Sequence, residues 1–448
     1  MTETLGPRIV VAGTHSGVGK TTVATGLLAA FASRDRLAAG AKVGPDFIDP
    51  GYHALASGRP PRNLDPWLCG IDAMLPLAGR AGAGTDLLIV EGVMGLFDGA
   101  ADGSPSSTAD VARALDAPVL LVVDVAAMSG SVAALVEGFA RHDPTVEVAG
   151  LVLNRVGSES HDAMVREALV PTGIPVLGSL PRDDAFTWRD RHLGLVPVVE
   201  ATDARRSLGR LASAIAERVD LAEMERLAAT APTVEVPPAS LPDRVHDGPP
   251  VRIGVASGAA FSFTYTDTLD ALRAAGAEPV PFDPTADATL PDRLTGVIAG
   301  GGFPEEHADA LSANRPLLDE VHGAVTAGMP VWAECGGLLW LSRSLDGLPM
   351  AGVIPADGSM EDRLTLGYRT AEVRGENPVA PVGSRLRGHE FHYSSLEPAG
   401  DALELCGRQG TRPEGHARAH LLATYLHVHP GGDPAPVARF VQRCVPDA

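Results

Sequence analysis

An apolar run, Arg8-Ile9-Val10-Val11-Ala12, enters the turn Gly13-Thr14-His15-Ser16-Gly17-Val18-Gly19-Lys20-Thr21-Thr22, and the apolar helical stretch VATGLLAAFA leaves it. Strand, glycine-rich turn and helix in that order constrain the chain more than any other segment, because such a turn needs a sheet and a helix to hold its ends. Glycines let backbone N–H groups converge on phosphate oxygens, and the helix N-terminus adds positive potential. Lys20 can then reach the β/γ-phosphates and Thr21 can ligate magnesium, with Gly17, Gly19 and Thr22 completing the cradle. The pattern predicts ATP and Mg2+ as ligands. The first glycine stands one position earlier than in the usual GxxxxGK[ST] string, since Thr14 occupies its place.

The rest of the first half repeats the alternation: DLLIVEG, APVLLVVDV, VEVAGLVLN and IPVLGSLP are short apolar runs between helical patterns. That predicts an α/β fold with a parallel sheet covered on both faces. A chain of 448 residues is too long for one ordinary core. Proline-rich sequence at 231–250 breaks helix and sheet alike and is read as a linker between a domain at 1–230 and a second α/β domain at 251–448.

Composition narrows the function classes. With 45% hydrophobic and 21% charged residues the chain is a folded protein, and a net charge of −20 without a Lys/Arg run argues against nucleic-acid binding. Cys69, Cys335, Cys406 and Cys444 are scattered without a CxxC pair, which predicts neither disulfides nor zinc and fits a reducing cytoplasm. No long apolar run predicts a membrane span or a secretory leader.

Carboxylates at strand ends are the expected magnesium and substrate groups. Glu91 ends DLLIVE, Asp98 follows in VMGLFDG, and Asp46 and Asp49 lie in KVGPDFIDP after another apolar run. Asn154, ending GLVLN, is a candidate adenine-edge reader. Arg59, Arg62 and Asn63, with Arg189, Arg191 and His192, are candidate clamps for a polyanionic substrate.

In the second half, MPVWAEC-GG-LLWL is a strand ending at Cys335 followed by Gly336, Gly337 and an apolar helix. A sharp strand-to-helix turn lifts a nucleophile above the sheet, and the helix N-terminus is expected to favour thiolate. Gly300, Gly301 and Gly302, after the apolar run TGVIA, can aim N–H groups at an oxyanion, with Gly336 as a further donor. His389, Glu390 and His392 in RGHEFHYSS are not read as a metal site, because His389 and Glu390 would face opposite ways along a strand.

KVGPDFIDPGYH, PPRNLDPW, VEGVMGLFDG and the phosphate loop together resemble the cobyrinic acid and hydrogenobyrinic acid a,c-diamide synthases of cobalamin biosynthesis, over essentially the whole chain. The loop spacing is that of dethiobiotin synthetase-like proteins, and the second half resembles class I glutamine amidotransferases of flavodoxin-like fold. The resemblance implies amidation of a corrin-type polycarboxylate, in which glutamine supplies ammonia to an acyl phosphate made from ATP. It assigns Asp46, Asp49, Glu91 and Asp98 to metal binding or substrate activation, and it is compatible with a homodimer. Phe47 stands where relatives often carry Tyr. The matching string ATYLHVH makes His427 the base for Cys335, while His429 holds the place where most of the class carries an acid, so the third member of the triad is unassigned. Two other readings are a diamide synthase for another tetrapyrrole, such as nickel sirohydrochlorin, and a partitioning-type ATPase without amidation.

Overall fold

The computed structural model describes residues 4–182, 190–191, 194–195, 204–408 and 410–446. The chain divides at Ala239/Ser240 into two units. In the first, the apolar runs become strands β1 Arg8–Gly13, β2 Ala38–Val43, β4 Leu87–Glu91, β5 Val119–Asp124, β6 Val148–Val156 and β7 Val176–Pro181, and the short polar segment Arg62–Leu64 adds β3. They pair in the order β3-β2-β4-β1-β5-β6-β7, all parallel. Near-continuous Val, Leu and Ile along β1, β4, β5 and β6 is what a sheet covered on both faces requires.

Helix α1, Lys20–Ala32, follows the phosphate loop, and α2, Asp49–Ser57, follows β2. The loop, the entry to α2 and Glu91 thus gather beyond the carboxyl ends of central strands, where open α/β sheets place their ligands. At the opposite end of β1 the fully buried Arg8 guanidinium donates to Leu115 O at 2.5 Å, Pro232 O at 2.8 Å and Gly6 O at 2.9 Å, so its charge is met by carbonyl dipoles.

The second unit has two sheets. Strands β8 Val251–Ala256, β9 Ala277–Phe282, β10 Gly296–Ala299, β11 Val331–Glu334, β16 His416–Arg418 and β17 Leu421–Thr424 lie in the order β9-β8-β10-β11-β17-β16. Only the β16–β17 pair is antiparallel. The other sheet is an antiparallel hairpin of β12 Asp357–Val373 and β13 Arg385–Glu397, extended by β14 Leu403–Gly407, β15 Gly410–Glu414 and β18 His427–Val428. The change to strand-like sequence after Arg363 is this hairpin. Helix α3, Gly336–Leu341, closes the nucleophile turn, and its Trp340 packs edge-on against Phe261 at 5.5 Å in the core.

Candidate active sites

In the first unit the phosphate loop is held by residues from distant strands. Gly19 adopts φ +100°, and a Cβ there would lie 2.3 Å from the Asn154 Nδ2. That close approach exists because Asn154, at the end of β6, donates Nδ2 to Val18 O at 2.7 Å while its Oδ1 accepts from Arg155 N at 2.9 Å. Both ends of the amide are engaged with backbone, so here Asn154 braces the loop. Arg155 adds a second brace, bonding Gly17 O at 2.9 Å and Asp124 Oδ2 at 2.5 Å.

Lys20 is buried, with Nζ donating to Met94 O at 2.6 Å and His15 O at 3.2 Å. Burial, reinforced by the charge on Lys42, lowers its pKa to about 8. Met94 takes a left-handed φ of +49°, a strained position for a side-chain-bearing residue. The segment around it is tied down by Leu96 N to Gly13 O at 2.9 Å and by Gly95 N to Asp98 Oδ2 at 2.8 Å. Asp98 therefore shapes the turn beside the loop, and its side chain is exposed.

Beneath Thr21 is a charge cluster that sequence reading names only in part. Lys42 and Glu91 are register partners on adjacent strands β2 and β4, and Lys42 Nζ lies 2.8 Å from Glu91 Oε1 and 2.6 Å from Asp49 Oδ2. Thr21 Oγ1 donates to Glu91 Oε1 at 2.7 Å and reaches Asp49 Oδ2 at 3.2 Å. The other Glu91 oxygen accepts from His53 Nε2 at 2.6 Å, in a pair that is wholly buried. Burial alone would raise the Glu91 carboxyl, but Lys42 and the His53 hydrogen bond outweigh it and hold it far below the usual carboxylate range. The same carboxylates keep the buried Lys42 charged.

Lys42 and His53 were not singled out from sequence. The signal for His53 was available, since Asp49 and His53 are four apart and share one face of α2. Asp46 sits three residues before this helix, its Oδ1 accepting from Ile48 N at 2.7 Å and Asp49 N at 3.1 Å, and it approaches Lys42 to 3.9 Å.

Among the described residues no three His, Cys, Asp or Glu side chains form a ready-made metal cage. Two carboxylates and a hydroxyl beside a phosphate loop nonetheless suit Mg2+, which usually keeps water and phosphate oxygens in the rest of its shell.

The expected clamps divide. Asn63 is buried and donates Nδ2 to Gly44 O at 2.9 Å and Asp46 O at 2.6 Å, so it supports the Asp46 loop rather than facing a ligand. Arg59 donates to Ala83 O at 2.6 Å. Arg62 starts β3 and is half-buried. Arg189 and His192 lie outside the described residues, and Arg191 is described only as backbone in the short strand Asp190–Arg191.

In the second unit Cys335 occupies the corner between β11 and α3 at φ +47°, ψ −98°. Holding a side-chain-bearing residue there costs on the order of 1–3 kcal/mol, the strain expected of a nucleophile elbow. Its backbone N donates to Thr424 O at 2.7 Å, fixing it to the end of β17, and His427 follows three residues later. The His427 ring is buried over Gly301, where an added Cβ would stand 2.4 Å from its Cε1.

Burial works against the expected thiolate, and only the Gly336 N–H favours it. Burial, with Glu305, Glu334 and Glu390 nearby, pushes the Cys335 thiol far up, and α3 has only 6 residues to oppose it. A thiol raised in this way calls for a base.

The oxyanion expectation changes at Gly301. Gly301 N already donates to Phe263 O at 3.2 Å, and Phe263 N returns a bond to Gly301 O at 3.0 Å. Gly300 O is taken by Gly337 N at 2.9 Å. Gly302 N and Gly336, the residue after the nucleophile, approach each other, a Cβ on Gly336 falling 3.1 Å from Gly302 N.

His389 faces its strand partner His427, with ring centroids 4.9 Å apart, and its Nε2 meets Tyr265 OH at 3.0 Å. Glu390 and His392 turn to the opposite face. There the fully buried Glu390 pairs with Arg369 at 2.6 Å and with Arg412, and a cavity of about 400 Å³ opens beside Tyr425, lined by Arg369, His392, Arg412 and Glu414.

Comparison with known proteins bears on both sites. Residues 9–196 match the CobQ/CobB/MinD/ParA nucleotide binding domain, and residues 252–435 match the CobB/CobQ-like glutamine amidotransferase domain. The chain is 46% identical to the hydrogenobyrinate a,c-diamide synthase of Streptomyces coelicolor, over 98% of this chain and 97% of that relative. It is 44% identical to the hydrogenobyrinate a,c-diamide synthase of Thermobifida fusca, over 97% and 96%. Identity to the cobyrinate a,c-diamide synthase of Syntrophotalea carbinolica is 42%, over 98% of both. With a nucleotide-binding unit, a cysteine amidotransferase unit and near full-length identity to these enzymes, the chain belongs to the hydrogenobyrinate and cobyrinate a,c-diamide synthase family.

Proposed function

We propose that this protein uses ATP and glutamine to amidate the a and c acetate carboxylates of hydrogenobyrinate. The carrying observation is the coexistence in one chain of a strained cysteine at a strand-to-helix corner, with a buried histidine over the neighbouring glycine loop, and a phosphate loop underlain by carboxylates. The choice of hydrogenobyrinate rests on the names of the two relatives at 46% and 44% identity.

The Cys335 sulfur attacks the side-chain amide carbon of glutamine while His427 takes the thiol proton, and the N–H groups of Gly302 and Gly336 receive the oxyanion. His427 returns the proton to the departing ammonia, and water hydrolyses the thioester to glutamate. The cavity beside Tyr425 carries both guanidinium and carboxylate groups, which suit the zwitterionic end of glutamine.

In the first unit Lys20 leaves the Met94 and His15 carbonyls for the nucleotide phosphates, and Asn154 keeps the loop open to them. Mg2+ held through Thr21, Asp46 and Glu91 would neutralise charge on the phosphate oxygens. Transfer of the γ-phosphoryl group to a substrate carboxylate makes an acyl phosphate, from which ammonia displaces phosphate.

Cys335→Ala should abolish synthesis from glutamine and leave synthesis from ammonium salts intact. Equal loss of both would sink the division of labour. Substrate choice is read by offering hydrogenobyrinate, cobyrinate and nickel sirohydrochlorin in parallel and counting added amides by mass.

A further inference from the structure

The base of the amidotransferase lacks its usual acid. Two residues after His427 stands His429, whose Nδ1 accepts from Gly431 N at 3.0 Å, so its proton is on Nε2, turned toward Asp267 Oδ2 at 3.9 Å. His429 is thus oriented by its own partners and brings no negative charge to His427. His389, stacked on His427 at 4.9 Å, brings none either, since burial and the neighbouring histidines disfavour its protonation.

One carboxylate does approach the ring. Glu334 Oε2 lies 3.6 Å from His427 Nδ1, and Glu334 Oε1 accepts from Val428 N at 3.2 Å. The second contact matters as much as the first, because it fastens the carboxylate to the residue after the base and leaves the other oxygen on the Nδ1 side. The sheet makes the arrangement: Glu334 and Thr424 are register partners at the ends of β11 and β17, so the residue before the nucleophile reaches across to the segment that carries the base.

We infer that Glu334 is the positioning residue for His427, taking over from the preceding strand the role of the acid that other class I amidotransferases carry two residues after the histidine. The inference rests on the glutaminase reading. A carboxylate at Nδ1 holds the proton on that nitrogen, leaves Nε2 free of a proton to accept the one from the Cys335 thiol, and stabilises the imidazolium formed as sulfur bonds to the amide carbon. The separation of 3.6 Å is long for a hydrogen bond and shortens when the ring becomes charged, as catalytic contacts commonly do on passing from the free enzyme to the complex.

The distinguishing variant is Glu334→Gln, whose amide oxygen still accepts from Val428 N while the charge at Nδ1 is gone. Glutaminase kcat should fall about 10²-fold or more with KM for glutamine within about threefold, and ammonium-dependent synthesis should be unchanged. Glu334→Asp, which keeps the charge on a shorter stem, should recover part of the loss. Glutaminase kcat of Glu334→Gln within about twofold of the parent would overturn the assignment, as would a loss carried by KM alone or an Asp variant no better than Gln. Should the Gln variant not fold, the Asp variant alone decides, since a kcat equal to that of His427→Ala excludes a charge effect. Cys335→Ala, assayed alongside, separates the two levels: retained glutaminase there refutes the glutaminase reading itself, whereas its loss with an undisturbed Glu334→Gln refutes only the role of Glu334.

Discussion

Gly301→Ala is a one-methyl test of where the base must stand. Gly301 needs no special backbone angle, so alanine is accepted by the chain, but its Cβ would lie 2.4 Å from His427 Cε1 and 3.3 Å from Phe263 Cβ. Ordinary contact begins near 3.4 Å, so the imidazole has to retreat by about 1 Å. It cannot retreat freely, with the His389 ring stacked on it and the Gly301–Phe263 backbone pair holding the loop in place. A displacement of about 1 Å in a catalytic group costs roughly 10²-fold in rate, close to 2.7 kcal/mol of barrier. Overpacking should also lower stability by about 1–3 kcal/mol, which a melting curve records. The assay compares glutamate release with synthesis driven by ammonium salts: the first should collapse and the second persist. Glutamate release within about threefold of the parent, in a folded variant, would mean that His427 is not the base or that its position is immaterial.

Two further predictions concern buried charge. Lys42→Met leaves Asp49 and Glu91 without the ammonium that now lies 2.6 and 2.8 Å away, and breaking such a pair from one side costs about 3–5 kcal/mol. Thermal unfolding of the first unit should shift down by several degrees, and an unchanged midpoint would refute the pairing. Glu414 is fully buried, and burial raises its carboxyl to about 7 despite bonds from Thr424 and Tyr425 N. The native state then keeps a proton that the unfolded chain, with a value near 4.5, has released, so stability is full below about 4.5 and is lost as pH rises through about 7. That loss is about 3 kcal/mol and should be absent in Glu414→Gln, as read by urea unfolding at about pH 5 and about pH 8. Parallel behaviour of variant and parent would contradict it.

The two strand-turn-helix motifs were legible because each is local: Gly13 to Thr22 and Val331 to Leu341 contain the strand end, the turn and the helix start in consecutive residues. What escaped depends on which strands become neighbours. Lys42 meets Glu91 only because β2 and β4 are adjacent, an order that no pattern in either segment encodes. Glu334 meets His427 through the β11–β17 pairing, across more than ninety residues of chain. The Gly301 N–H looked available from sequence for the same reason, since its consumption by Phe263 is a long-range backbone contact. Asn154 and Asn63 show the converse: from sequence these polar strand residues suggest ligand-facing groups, yet both have their amide nitrogens on loop carbonyls, where a buried donor is satisfied most directly.

The bond from Cys335 N to Thr424 O sets the spacing between nucleophile and base with main-chain atoms alone. No replacement of the Cys335 side chain other than proline removes it, so the ruler survives when the sulfur is exchanged. Serine and alanine at this position therefore report on chemistry without disturbing alignment. Divergence in the surrounding loops is likewise free to alter access and specificity, because the pitch of two adjacent strands carries the measurement.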